Sequence, residues 1–492
     1  VHTRWVVLVG LLLAAATAAP ADLRVDALKA IVTGPDPTPV EQTAAAELSR
    51  YLQKMYGVAL PVEARKDIGP DTTGVILLGE DAAVAGEAVT PAELKKVRWD
   101  GYVLKVSDGR IALAGPRGRA TLYGVAGFLE HLGARFYGPV EAVPSRKGQA
   151  IVNVARSDTP AWEFRRCGGD WKLRSSNADL ADPRRGADPE LFTKKAGSDL
   201  YVDHTAGYLV PIDLYYKNHP EYFALVNGKR IAAARQTRDK SGPSDANVVL
   251  CLSNPDVLRI SAERMLAWMD KNPEKRFFCM TYGDTGTFCQ CANCKKLDGP
   301  GGGYMDRKLH WVNHVAREVA QKHPDKVLLT WAYQTASRPP QRRQPAPNVI
   351  CCYAPWYGTR VICRMHPYSL CGRDVIAAGD MEAWFKKAPG NLGVYDYPTR
   401  RPQLHAFPYK LRWWSKRGYR GIYQCGGPAK LRALKLFIKT RLMWDPTQDP
   451  EKLQDEFCRA YYGEEAGPIL SEHFRDWYRE FVDTGTHRPR GD

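Results

Sequence analysis

The apolar positions of the first 140 residues switch between short unbroken runs and helical spacing. Leu28–Val32 has the look of a strand and stops at Gly34-Pro35. Pro39 opens a helix whose Ala44, Ala45, Leu48, Tyr51, Leu52 and Met55 share one face, with Gly57 as its stop. Val75–Leu78 has the pattern of a buried strand. Tyr102–Val106 and Arg110–Ala114 flank Asp108-Gly109, a hairpin signal. A second helix begins near Gly118, with Leu122, Val125, Leu129 and Leu132 on one side and Gly133 at its end. These elements make a small α+β domain, expected over residues 19–150. The stretch 138–160 carries Pro139, Pro144 and Pro160 and reads as a linker.

Beyond it the pattern changes to alternation of strand and helix. Eight strands are predicted, at Phe164–Cys167, Tyr208–Val210, Val248–Leu252, Arg276–Tyr282, Val327–Tyr333, Val349–Tyr353, Gly393–Tyr397 and Gly421–Gln424. Amphipathic segments fall at 256–270, 305–322, 376–388 and 402–417. That order predicts an α/β fold, a (β/α)8 TIM-like barrel over 151–428, followed by a C-terminal helical extension over 429–492. The polar stretch 170–245 gives the weakest signal.

At the N-terminus, His2 and Arg4 precede the uncharged apolar run Trp5–Ala16, and Ala16-Thr17-Ala18 has the small-residue form of a cleavage site. Residues 1–18 therefore read as a signal peptide, too short for a membrane span, and the chain is expected to be exported to a periplasmic or extracellular location. Lys plus Arg number 70 and Asp plus Glu 54, so the net charge is 70 − 54 = +16, of which the leader supplies only Arg4. Export, together with the scatter of basic pairs such as Arg165-Arg166 and Arg342-Arg343, argues against nucleic acid as partner. A diffuse positive field suits a polysaccharide or glycan bearing uronate or sulfate.

Longer motifs carry a resemblance. Residues 25–137 resemble the N-terminal domain of alpha-glucuronidases and the second domain of beta-hexosaminidases, through Ala44–Leu52, Val75–Gly79, Leu122-Tyr123-Gly124-Val125, Phe128-Leu129-Glu130 and Arg135-Phe136-Tyr137. Residues 160–480 are similar to the exported bacterial family called domain of unknown function 4838. Its marks are His219-Pro220-Glu221-Tyr222-Phe223, Asn227-Gly228-Lys229-Arg230, Cys251-Leu252-Ser253-Asn254-Pro255, Gly283-Asp284 followed by Cys289-Gln290-Cys291-Ala292-Asn293-Cys294, Trp444-Asp445-Pro446 and Tyr461-Tyr462-Gly463. The resemblance implies a barrel related to glycoside hydrolases, with some relatives resembling endo-acting beta-N-acetylglucosaminidases. Relatives often carry Asn where this chain has Gly283.

Glycoside hydrolysis uses two carboxyl groups across the scissile bond, and barrel enzymes place such groups at the C-terminal ends of strands. Asp284, after the fourth predicted strand, and Asp396, at the end of the seventh, are the candidate pair, and Glu221 is a third. Their plain structural alternatives are a loop-capping Asp, a turn-forming Asp before Pro398 and a helix-start Glu. His204, next to Asp203, is a candidate for binding a sugar hydroxyl. Tyr282, Trp331, Tyr333, Tyr353, Trp356, Tyr395, Tyr397 and Tyr423 fall at predicted strand ends, where sugar faces stack. No cofactor is expected for catalysis. Cys289, Cys291 and Cys294 can hold a structural zinc if Cys251, Cys279 or His310 adds a fourth ligand, can form disulfides, or can stay free thiols. No H-E-x-x-H or G-x-S-x-G is present, so a zinc peptidase and a serine hydrolase are disfavoured. Three functions follow: an exported glycoside hydrolase, a carbohydrate-binding barrel without turnover, or, on the charge alone, a binder of anionic polymer or cell envelope.

Overall fold

The computed structural model describes residues 23–167 except 108, 138 and 139, then 204–234, 247–354 except 274 and 302, 374–396, 406–424 and 432–484. The chain divides into two compact units. One comprises 1–97, 102–128 and 144–158; the other comprises 98–101, 129–143 and 159–492.

The first unit is built on a six-stranded sheet. Its strands are β1 (Ala30–Thr33), β2 (Val62–Ala64), β3 (Val75–Leu78), β4 (Tyr102–Ser107), β5 (Arg110–Ala114) and β6 (Val154–Asp158), in spatial order β6-β4-β5-β3-β1-β2. β4 pairs antiparallel with β5 and β6, and the other pairs are parallel. Helix α1 (Pro39–Tyr56) starts at a capping box, in which Thr38 and Glu41 satisfy each other's backbone N–H groups, and it ends at Gly57 with φ 76°. Helix α2 (Gly118–His131) follows β5. β6 lies inside the stretch expected to be a linker. It is an outer strand with mostly exposed side chains, so it has no apolar signature to read.

The second unit holds the parallel sheet of the barrel. Its strands are β7 (Phe164–Cys167), β8 (Phe277–Cys279), β9 (Val327–Ala332), β10 (Val349–Tyr353), β11 (Leu392–Asp396) and β12 (Gly421–Gln424). They run in the order β7-β12-β11-β10-β9-β8, all parallel. Helices α3 (Pro255–Asp270), α4 (Tyr304–Lys322), α5 (Asp374–Lys387) and α6 (Ala406–Lys416) alternate with them, and α7 (Arg432–Trp444) and α8 (Pro450–Thr484, kinked at Gly463) follow at the C-terminus. The expected barrel class with C-terminal helices is therefore observed.

Two predicted strands differ. Tyr208–Val210 falls in a short helix, Ala206–Leu209, and among the described residues Val248–Leu252 makes isolated bridges, to Ala233 and Phe223, and no ladder. Hydroxyl groups replace a ladder at the edge of β8. Thr205 Oγ1 donates to the Cys279 carbonyl at 3.1 Å and accepts from the Thr281 N–H at 3.0 Å, while the Thr205 N–H donates to Thr281 Oγ1 at 3.1 Å. Side chains thus cover an edge that a strand would otherwise satisfy.

The sheet curls until its two edges meet at their N-terminal ends. The rings of Phe164 on β7 and Phe277 on β8 lie 5.3 Å apart. Just below them the buried Glu163 carboxylate accepts from Arg420 Nε at 2.7 Å and Nη2 at 3.0 Å, and also pairs with Arg276. Alternation along the strands sorts side chains into two layers. Phe164, Phe277, Cys279, Leu329, Trp331, Ile350 and Cys352 fill the interior of the curl. Met280, Leu328, Cys351, Leu392, Val394 and Ile422 face the helices. A Cβ on Gly421 would come within 2.6 Å of the Phe164 Cβ, so only glycine leaves room for that ring.

Candidate active site

The C-terminal ends of β8 and β9 carry two loops that hold each other. Thr335 Oγ1 donates to the Gly286 carbonyl at 3.2 Å, and Gln334 Nε2 approaches Asp284 Oδ1 at 3.5 Å. Gln334 has φ 50°, a left-handed conformation that a non-glycine side chain adopts at a cost. Asp284 lies five residues past β8, with its side chain half exposed. His204 stands beside it: Nε2 is 3.9 Å from Asp284 Oδ1, and Nδ1 is 2.7 Å from the Tyr282 carbonyl. Nothing in the sequence marks Gln334; a positive φ on a glutamine has no local signature.

Gly283 is required where it stands. A Cβ there would collide with the backbone carbonyl of Val248, so the Asn of relatives does not fit this backbone.

Asp396 is placed differently. It follows Val394 by two residues and shares the helix-facing side of β11, and it is 2% exposed. Its Oδ1 lies 3.9 Å from Nζ of Lys410 on α6, itself 1% exposed. The neighbouring residue, Tyr395, faces the interior. An opposed pair of carboxylates reaching one cleft requires Asp396 to have Tyr395's orientation, and strand alternation gives it the other.

Glu221 sits in the turn Pro220–Tyr222, half exposed, 3.1 Å from His219 Nδ1. Its own backbone N–H, and more weakly the imidazole, hold its carboxyl below the ordinary range, which suits a standing anion rather than a proton donor.

The aromatic candidates divide. Tyr395 stacks on Tyr423 at 4.4 Å, and Trp331 meets Tyr395 edge-on at 5.0 Å, so β9, β11 and β12 share one aromatic wall inside the curl. Trp331 and Tyr423 are buried; Tyr395 and Tyr333 are half buried and lie at the C-terminal ends of β11 and β9. Tyr282 is core. Its hydroxyl donates to the Leu250 carbonyl and accepts from the Leu250 N–H, its ring stacks on Phe288 at 4.6 Å, and burial drives its phenol well up. Tyr353 faces the helices and donates to Asp380 at 3.1 Å. Trp356 and Tyr397 lie outside the described residues.

Behind the wall, the fully buried Lys308 of α4 donates to the Trp331 carbonyl at 2.5 Å, and burial lowers its ammonium to about 8. It fixes the end of β9. Periodicity could not have found it, because a lysine on a helix reads as solvated.

The three cysteines of the C-x-C-x-x-C run meet Cys251, and the four sulfurs lie within 4.8 Å of one another. Cys279 is elsewhere, in the interior layer with Cys352.

Comparison with known proteins follows this geometry. Residues 136–475 match the family described as domain of unknown function (DUF4838), and residues 17–127 match the glycosyl hydrolase family 67 N-terminus. No curated protein matches. A solved family GH115 4-O-methyl-alpha-glucuronidase with specificity for decorated arabinogalactans has a TM-score of 0.52 at 12% identity, over 92% of this chain and 61% of its own length. CpGH84D gives 0.49 at 12% identity, over 92% and 71%, and the chitobiase of Flavobacterium johnsoniae gives 0.46 at 12%, over 93% and 71%. The chain spans about three fifths of the GH115 protein, and that likeness speaks for the fold. No described helix is long and apolar enough to cross a membrane. With its parallel barrel sheet, C-terminal helices and a family match across 136–475, the chain belongs to the DUF4838 family and has a glycoside hydrolase-like fold.

Proposed function

We propose that this protein hydrolyses a glycosidic bond in a glycan lying at the C-terminal end of the barrel sheet. The observation that carries the reading is Asp284: a half-exposed carboxylate at the strand ends, flanked by His204 and Gln334. Tyr333 and Tyr395 offer ring faces at the same end for the sugar. Asp284 is the proton donor, or the group that orients a substrate amide, with His204 as its positioning residue. Asp396 acts indirectly, through Lys410, by fixing the strand end that presents Tyr395. The second reacting group then comes from outside the described residues or from the substrate, whose own acetamide carbonyl serves if the sugar is an N-acetylhexosamine. Uronate-bearing glycans are the other class to test first. They suit the net charge of +16, the family 67 N-terminal match and the GH115 relation.

The deciding experiment is a screen of the purified protein against uronate-bearing polysaccharides and N-glycans, reading new reducing ends, with Asp284→Asn in parallel. Release by the parent and none by the variant supports the reading. Binding by both with no release from either favours the second function, a carbohydrate-binding barrel, which the helix-facing orientation of Asp396 also supports.

A further inference from the structure

We propose that Cys251, Cys289, Cys291 and Cys294 hold one zinc ion as a closed structural centre. The argument starts from spacing. Four thiolates at ~2.3 Å from a common metal sit at the corners of a tetrahedron whose edges are about 3.8 Å. Cys251 Sγ lies 3.7 Å from Cys291 Sγ and 3.8 Å from Cys294 Sγ, and all four sulfurs fall within 4.8 Å of one another. A disulfide instead brings two sulfurs to ~2.05 Å and leaves the other pair unrelated to it.

The surroundings suit thiolates. Backbone N–H groups point at sulfur, from Leu225 to Cys289 at 3.3 Å and from Cys294 to Cys291 at 3.4 Å. A zinc ion with four thiolates carries a net charge of −2, and Arg230 brings Nη1 to 3.9 Å from Cys289 Sγ, offsetting part of it. Cys251, Cys289 and Cys294 are buried and Cys291 is half-buried. Four protein ligands leave no position for water or substrate, so the centre is structural.

Its effect is to join distant segments. Cys251 precedes α3, the other three ligands follow the Asp284 loop, and Leu225 belongs to the hairpin Ala224–Val226 with Lys229–Ile231. The metal therefore anchors the far end of the loop that begins at Gly283, whether or not that loop performs catalysis.

The test is elemental analysis of the full chain purified without chelator. About one zinc per chain is expected, falling at least fivefold in Cys251→Ser and in Cys291→Ser. So that the test does not depend on those variants folding, the wild-type protein is also titrated with a mercurial at neutral pH in the presence of a zinc dye. Release of one zinc in step with modification of Cys251, Cys289, Cys291 and Cys294, assigned among the twelve cysteines by peptide mapping, with a lowered melting temperature afterwards, supports the centre. Three results overturn it: zinc well below stoichiometry with Cys251, Cys289, Cys291 and Cys294 all mapped as free thiols, a disulfide mapped between any two of these four, lowering the intact mass by about 2 Da, or stoichiometric iron instead of zinc.

Discussion

His204 turns Nε2 toward Asp284 at 3.9 Å because its other ring nitrogen is committed to the Tyr282 carbonyl at 2.7 Å. A carbonyl only accepts, so Nδ1 carries a hydrogen, and the contact of Nε2 with Asp284 is favourable when a second proton lies between these two groups. Tyr282 is in turn held by both backbone groups of Leu250. The core thus sets the tautomer of a side chain at the open end.

If Asp284 transfers the proton, Asp284→Asn should lower turnover about 10²–10⁴-fold and leave the melting temperature unchanged, since its side chain is half exposed. His204→Gln should cost less in rate and should displace the pH optimum. Kinetics across pH with matched melting curves check both.

Asp396→Asn should behave oppositely. It removes the carboxylate beside a buried ammonium, and breaking such a pair costs roughly 3 kcal/mol of stability. Denaturant unfolding measures this, and Lys410→Met added to Asp396→Asn should restore much of the loss. Lost activity at unchanged stability would instead mark Asp396 as catalytic.

Gly283→Asn, which restores the residue common among relatives, should destabilise this chain by about 2 kcal/mol, because its Cβ meets the Val248 carbonyl and the backbone must move. A lower melting temperature is the expected readout, and an unchanged one would show that the 247–248 segment yields freely.

Glu93 gives a pH-dependent prediction within the first unit. A hydrogen bond from Lys105, together with the Thr90 N–H, lowers its carboxyl from the ordinary 4.5 to about 2. The unfolded chain takes up this proton first as pH falls, so the stabilisation is complete above pH 4.5 and is lost between 4.5 and 2. Glu93→Gln should cost no more than about 1 kcal/mol at pH 7, because the side chains of the pair are 26% and 35% exposed and screened. The difference from wild type should shrink as pH falls through that window, measured by urea unfolding at pH 6 and pH 3.

What the sequence made legible follows burial. The runs Val327–Tyr333 and Val349–Tyr353 are apolar on both faces, as central parallel strands must be, and both formed. Cys351 and Cys352 divide between the two layers as alternation predicts. The two predicted strands that did not join the barrel sheet failed for different reasons: Val248–Leu252 pairs by backbone with residues 222–234 instead. The segment at Thr205 covers a sheet edge with hydroxyls, which no hydrophobic period reports. Strand alternation was sufficient to turn Asp396 toward the helices once the ends of β11 were known, but a shift of one residue reverses that result. Gln334 and Lys308 gave no signal because their roles depend on a strained dihedral and on complete burial.

The joint at Glu163 sets an order of events during synthesis. Its carboxylate takes Arg276 as one partner and Arg420, 257 residues later in the chain, as the other, and among the described residues β7 has its ladder partner in β12. Until then the first strand of the barrel has an open edge, and the carboxylate before it has Arg276 alone as its cationic partner. The earliest strand to be made is therefore the last to be settled, and assembly of the barrel depends on long-range contacts that form slowly.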